Sequence, residues 1–132
     1  MSTRCYIGLK DKDSVRAIYS HSDGYPAYVG KILLENYNTP EKINQLLDLG
    51  ALSLLNTEIG EKHNFHDMSH PTWCRAYNRD RDDPKEHTEA QEFLCEAEFL
   101  MSCKEDYTYL FKDGQWHYRS WSKSLIPLTH VV

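Results

Sequence analysis

At 132 residues, 40% hydrophobic and 27% charged, the chain can bury a core without disulfides or metals and is expected to form one domain over residues 1–132. No apolar run approaches the roughly 18 residues a membrane span needs, and the N-terminus lacks an apolar signal segment, so a cytoplasmic protein without membrane contact is expected. A formal net charge of -5 argues against a long nucleic acid as partner, because phosphate backbones select basic faces, while leaving room for a local basic pocket that takes a small anion.

Arg4 to Lys10 alternates Cys5, Ile7 and Leu9 against Tyr6, Gly8 and Lys10, and Ser14 to Ser20 alternates likewise. With Asp11-Lys12-Asp13 as the turn, the two predict a β-hairpin. Asp23-Gly24 marks a turn, and Pro26 suits the first turn of a helix running to about Tyr37. Thr39-Pro40 starts another helix, with Ile43, Leu46 and Leu47 as its buried stripe and Gly50 as a left-handed cap. Residues 51–60 are expected to form a loop, and residues 63–71 to be polar and irregular. Residues 73–79 read as a strand with Trp73, Arg75, Tyr77 and Arg79 on one side.

Asp83-Pro84-Lys85-Glu86 is a helix-start signature, and Ala90, Phe93, Leu94, Ala97, Leu100 and Met101 follow at helical spacing, predicting one long helix. Residues 107–111 and 115–120 flank Lys112-Asp113-Gly114, a second hairpin. The apolar tail at Leu125, Ile126 and Leu128 suggests a further strand. The order ββααβαββ implies an α+β domain: a mostly antiparallel sheet with helices packed on one face, leaving the other open.

Cys5, Cys74, Cys95 and Cys103 have no C-x-x-C or framework spacing and are expected to be free thiols. His63, His66, His70 and Cys74 are zinc-ligand types at short spacing but match no zinc motif, and surface histidines are the expectation; no metal or cofactor is called for. No nucleophile elbow, P-loop or dinucleotide fingerprint is present, so nothing announces an enzyme.

Two constellations carry chemistry. Arg75, Arg79 and Arg81 are interleaved with Tyr77, Asn78 and Asp80: guanidinium forks match phosphate oxygens, a phenol stacks on a base, and Asn or Asp reads base edges or ribose hydroxyls. The plain alternative is an exposed strand end whose opposite charges pair among themselves. The hexapeptide HSDGYP, residues 21–26, holds His21, Asp23 and Tyr25. Asp23 with Gly24 and Pro26 is explained by a turn, whereas a turn needs neither His21 nor Tyr25, so the segment is expected both to turn the chain and to wall a pocket. The exposed half of the aromatic set Tyr107, Tyr109, Phe111, Trp116, Tyr118 and Trp121 suits base stacking or, more readily, an interface in a homo-oligomer.

The segments RCYIGL, VRAIYSHSDGYPAYVGKILLENY, AYNRDR and YTYLFKDGQWHY resemble a family of small phage and prophage proteins. In that family the turn reads His-Trp-Asp-Gly-Tyr-Pro, and Ser22 stands where the tryptophan would be. The chain also resembles the phage anti-Thoeris sponges of Tad type, which bind cyclic ADP-ribose signals without cleaving them. The resemblance implies phosphate and ribose contact at Arg75, Asn78, Arg79 and Asp80, adenine stacking at Tyr77 or Tyr25, and a small nucleotide as partner. Two other readings stand beside it: a protein-binding phage inhibitor presenting the acidic segment Glu86 to Glu98, and a nucleotide-acting enzyme with His21 as base and Asp23 orienting it.

Overall fold

The computed structural model describes residues 2–129. Strands β1 (Cys5–Asp11), β2 (Ser14–Ser22), β3 (Leu52–Leu54), β4 (Arg75–Ala76), β5 (Gln91–Phe93), β6 (Tyr107–Lys112), β7 (Gln115–Ser120) and β8 (Ile126–Pro127) make one eight-stranded sheet. The helices are α1 (Lys31–Asn36), α2 (Pro40–Leu47), α3 (Tyr77–Arg81), α4 (Lys85–Thr88) and α5 (Glu96–Ser102), and a π-helical turn, Pro26–Gly30, leads into α1. The class is the expected one, α+β with a mostly antiparallel sheet.

The β1–β2 hairpin is the centre. Its free β1 edge takes β6 in parallel, Cys5 opposite Tyr107, and β7 and β8 continue antiparallel beyond it. Its free β2 edge is shared. The end at Ser20 and Ser22 takes β3 in parallel, with β4 outside it, and the end at Val15 to Ala17 takes β5 antiparallel. Asp113 and Gly114 both have positive φ, 53° and 75°, as a two-residue Asp-Gly hairpin turn requires.

Alternation along β1 and β2 sends Cys5, Ile7, Leu9 and Ile18 to one face, where α1 and α2 supply Ile32, Leu33, Ile43, Leu46 and Leu47. Thr39 caps α2 by accepting the Lys42 N–H at 3.3 Å, and Gly50 at φ 76° closes it. The second hairpin adds to this core more than alternation alone suggests. Tyr109 lies opposite Tyr118 and Phe111 opposite Trp116, so one face takes nearly the whole aromatic set and Trp121 alone is largely exposed. The other sheet face has a smaller core of Val15, Ala17, Phe93, Phe99, Cys103 and Leu110. Phe99 brings α5 onto this face at Gly8, where a Cβ would stand 3.1 Å from the ring. Helices therefore lie on both faces, and the second face is open only towards Tyr6, Tyr19 and His21.

Three local expectations are corrected. The long helix over 86–101 is α4, β5 and α5. Helix α4 stops because the Thr88 carbonyl is taken by the Ala51 N–H, 2.7 Å, and the unpaired β2 edge captures residues 91–93. The helical stripe was thus partly coincidental: Phe93 and Phe99 are buried while Leu94 and Met101 are exposed. The 73–79 strand is reduced to Arg75–Ala76, after which the chain coils into α3. Within 51–60, β3 replaces an irregular loop.

The hexapeptide is a tightly built turn. His21 and Ser22 finish β2, and Asp23 adopts φ 56°, a conformation Asp tolerates better than most side chains. Gly24 donates to the Thr3 carbonyl, 2.8 Å, and a Cβ there would meet the Cys5 Cβ at 2.9 Å. The buried Tyr109 hydroxyl donates to the Gly24 carbonyl at 2.7 Å, tying the turn to β6. Tyr109→Phe leaves that carbonyl without its buried donor and is expected to cost about 1–3 kcal/mol in urea unfolding, without loss of secondary structure by circular dichroism.

Candidate functional site

The arginine-rich segment 75–81 separates into a structural half and an accessible half. Asp80 makes the division. Its side chain is 0% exposed, and its oxygens accept from the Ala76 N–H at 2.8 Å, the His63 N–H at 3.2 Å and Arg79 at 2.9 and 3.2 Å. Burial pushes this carboxyl up, but the Arg79 guanidinium and the two backbone donors outweigh it and leave it below its ordinary value. Arg79 also donates to the Ile59 and Cys74 carbonyls, 2.8 and 2.9 Å, so most of its fork is engaged within the protein. Asn78 donates to the Asp83 carbonyl at 2.7 Å. Asn78, Arg79 and Asp80, expected to meet a phosphate or ribose, here have internal partners: Arg79 and Asp80 tie α3 to residues 59–63, and the Asn78 amide nitrogen closes α3 on Asp83.

What remains accessible is a stack. Phe65 and Tyr77 lie parallel with centroids 5.7 Å apart. The Arg81 guanidinium sits 4.4 Å from the Tyr77 centroid and 5.1 Å from that of Phe65, held by Asp83 through two bonds of 2.7 and 2.8 Å. Arg75 lies 5.7 Å from the Phe65 centroid, with one nitrogen 3.0 Å from the Met68 sulfur. Ala76 belongs to the first-face core, so Arg75, one residue earlier, projects to the second face.

The same face receives Tyr6 from β1 and Tyr19 and His21 from β2. Tyr19 and His21 share a 2.8 Å hydrogen bond, and Tyr6 packs edge-on to Tyr19 at 5.7 Å. Burial raises the Tyr19 pKa, the Arg4 guanidinium opposes this, and Glu105, Tyr77 and Tyr6 add to the rise. Among the described residues, neither Arg4 nor Arg75 forms an ion pair. A cleft of about 350 Å³ beside Tyr6 and Tyr19 adds Gln91, Glu89 and Glu105. His21 on β2 and Arg75 on β4 are separated by β3 in the same sheet, and neither lines this cleft. Sequence reasoning missed Arg4, Tyr6, Tyr19 and Phe65. Alternation of β1 and β2 already put the first three on one side, whereas nothing local marks Phe65, which arrives from an irregular loop.

Other expected partnerships are absent. His21 Nδ1 bonds Tyr19, with no bond to Asp23, so Asp23 does not orient that imidazole. Tyr25 lines a separate cavity with Asp106 and Trp121. Glu86 and Glu98 do not share one acidic helix. His70 stacks on Trp73 at 3.8 Å, and Cys74 is buried against the Asn56 N–H and the Tyr37 hydroxyl. Among the described residues no three His, Cys, Asp or Glu side chains are grouped to hold a metal ion. No helix there is long and apolar enough to cross a membrane. Comparison with protein-family models, curated proteins and solved structures found no match.

Because the folded-state pKa of Asp80 lies below its ordinary 3.8, its stabilisation is fully present above that pH and is lost as pH falls through the folded value. Asp80→Asn leaves Arg79 largely buried without its counter-charge and is expected to lose about 3–5 kcal/mol at pH 7. In urea titrations from pH 5 down to pH 2 (roughly the window of carboxylate protonation) this variant is expected to show a shallower acid slope than the wild type.

Proposed function

We propose that this protein binds a small nucleotide on the open part of its second sheet face and holds it without cleaving it, as a phage-encoded sponge for a cyclic ADP-ribose-type signal. What supports this reading is the Arg75 guanidinium beside the Phe65–Tyr77 stack, with Arg4 and the Tyr19–His21 pair on the same sheet face; among the described residues neither guanidinium forms an ion pair. Guanidiniums take the phosphates and the phenols take the adenine. Gln91, Glu89 and Glu105 in the adjoining cleft offer groups for ribose hydroxyls. Resemblance of the hexapeptide and of both hairpins to phage proteins supports the same assignment. Residence in the host cytoplasm and assembly with further copies of the chain belong to this reading.

A sponge needs affinity but no general base. His21 is bonded to a phenol, with no carboxylate to set its tautomer, which favours retention of the ligand over hydrolysis.

Thermal denaturation with cyclic ADP-ribose isomers and cyclic oligonucleotides tests the proposal. A true ligand at 100 times its Kd stabilises the native state by about 2.7 kcal/mol, a Tm rise on the order of 10 °C for a domain of this size. Arg75→Ala and Tyr77→Ala are expected to abolish the rise while keeping the unliganded Tm within a few degrees. Arg79→Ala is expected to lower the unliganded Tm itself. No shift with any member of the panel well above micromolar concentration overturns the reading. Conversion of the ligand, seen by chromatography after denaturation, replaces the sponge with an enzyme.

A further inference from the structure

A second cavity, of about 310 Å³, opens at the far end of the β6–β7 hairpin, where the hexapeptide turn meets residues 106 and 121. It is lined by Tyr25, Tyr107, Trp121 and Asp106, with Ser2, Thr3 and Ser120, and by no lysine or arginine. Tyr25 is 39% exposed and Trp121 57%.

Two observations distinguish this hollow from an ordinary surface dimple. The first is the backbone of Trp121. Among the described residues five non-glycine residues have positive φ, and the other four are the polar Lys12, Asp23, Asp82 and Asp113; Trp121, at φ 54°, is the bulky exception. A left-handed conformation is costly for such a residue, and here it holds a large apolar ring towards solvent rather than in a core. The Trp121 N–H donates to the Asp106 backbone carbonyl at 3.1 Å, so the two backbones are held side by side. The second is the state of Asp106. One oxygen accepts the Arg4 backbone N–H at 3.0 Å, which orients the carboxylate, yet among the described residues it meets no cationic side chain within ion-pair distance.

Three aromatic residues beside an oriented carboxylate that has no cationic partner among the described residues supply the recognition chemistry of an organic cation. Ring quadrupoles attract a cation over their faces, and the attraction is greatest for a poorly hydrated one, which sheds little water on entry. The cavity is wide for a bare ammonium and suits one bearing methyl groups. We propose that this cavity is an aromatic cage for a quaternary ammonium group, carried on a free small molecule or on a trimethylated lysine side chain. It is separate from the nucleotide surface, shares none of that surface's ring residues, and stands or falls independently.

Choline is the probe, and 3,3-dimethylbutan-1-ol, its uncharged isostere, is the control. Calorimetric titration of the full chain is expected to show saturable choline binding, with the isostere weaker by about tenfold or more. Trp121→Ala is expected to abolish binding and Asp106→Asn to weaken it by about tenfold, both with the unliganded Tm retained and the nucleotide response of the other face unchanged. A trimethyllysine peptide that binds more tightly than choline, with its unmethylated form inert, assigns the group to a side chain; the reverse order assigns it to a free molecule. Absence of saturable choline binding, equal binding of the isostere, or full binding by Trp121→Ala overturns the proposal.

Discussion

The accessible chemistry of this protein depends on one buried carboxylate. Asp80 has no exposed side-chain surface, and a bare charge there would be prohibitive; two backbone N–H groups and the Arg79 fork make it tolerable. In return it ties together three pieces that have no regular pairing with one another: the end of β4, the loop around residue 63 and the first turn of α3. Tyr77 and Arg81 ride on that turn and Arg75 immediately precedes it. Phe65 comes from the loop that Asp80 anchors through His63. The aromatic and guanidinium groups thus share a surface because a neighbour with no access to ligand has locked their backbones.

How much could be read beforehand varied with how local the determining forces are. Both hairpins, the capped α2 helix and the Asp-Gly turn are set by alternation and by residues with strong conformational preferences, and they appear where the sequence puts them. The run from Asp83 to Met101 carries helical periodicity over its whole length, yet the vacant half of the β2 edge, far away in sequence, claims its middle as β5. Tertiary hydrogen bonding overrode propensity. Arg75 and Tyr77 stood out as candidates by residue type alone. That Arg79 and Asp80 serve each other was not legible, because alternate residues of an assumed strand point the same way for Arg75 and Arg79, whereas the real chain turns helical between them.

The hexapeptide is first of all a turn. Its glycine is required by the close approach of Cys5 and Thr3, and its histidine and tyrosine part company: His21 bonds Tyr19, whereas Tyr25 lines the hollow with Asp106, Tyr107 and Trp121. One short segment thus serves two separate neighbourhoods of the surface, which whole-chain composition does not reveal.

The parallel seam between β1 and β6 joins the beginning of the chain to a segment about a hundred residues later. At ribosomal speeds of about 5–20 residues per second, β1 waits on the order of 5–20 s for that partner to emerge. During that interval the nascent β1–β2 hairpin has an unsatisfied ladder along the edge destined to be innermost, carrying Ile7 and Leu9 beside it. Synthesis of this domain therefore leaves a bare hydrophobic strand edge exposed for seconds, the kind of surface on which nascent chains aggregate.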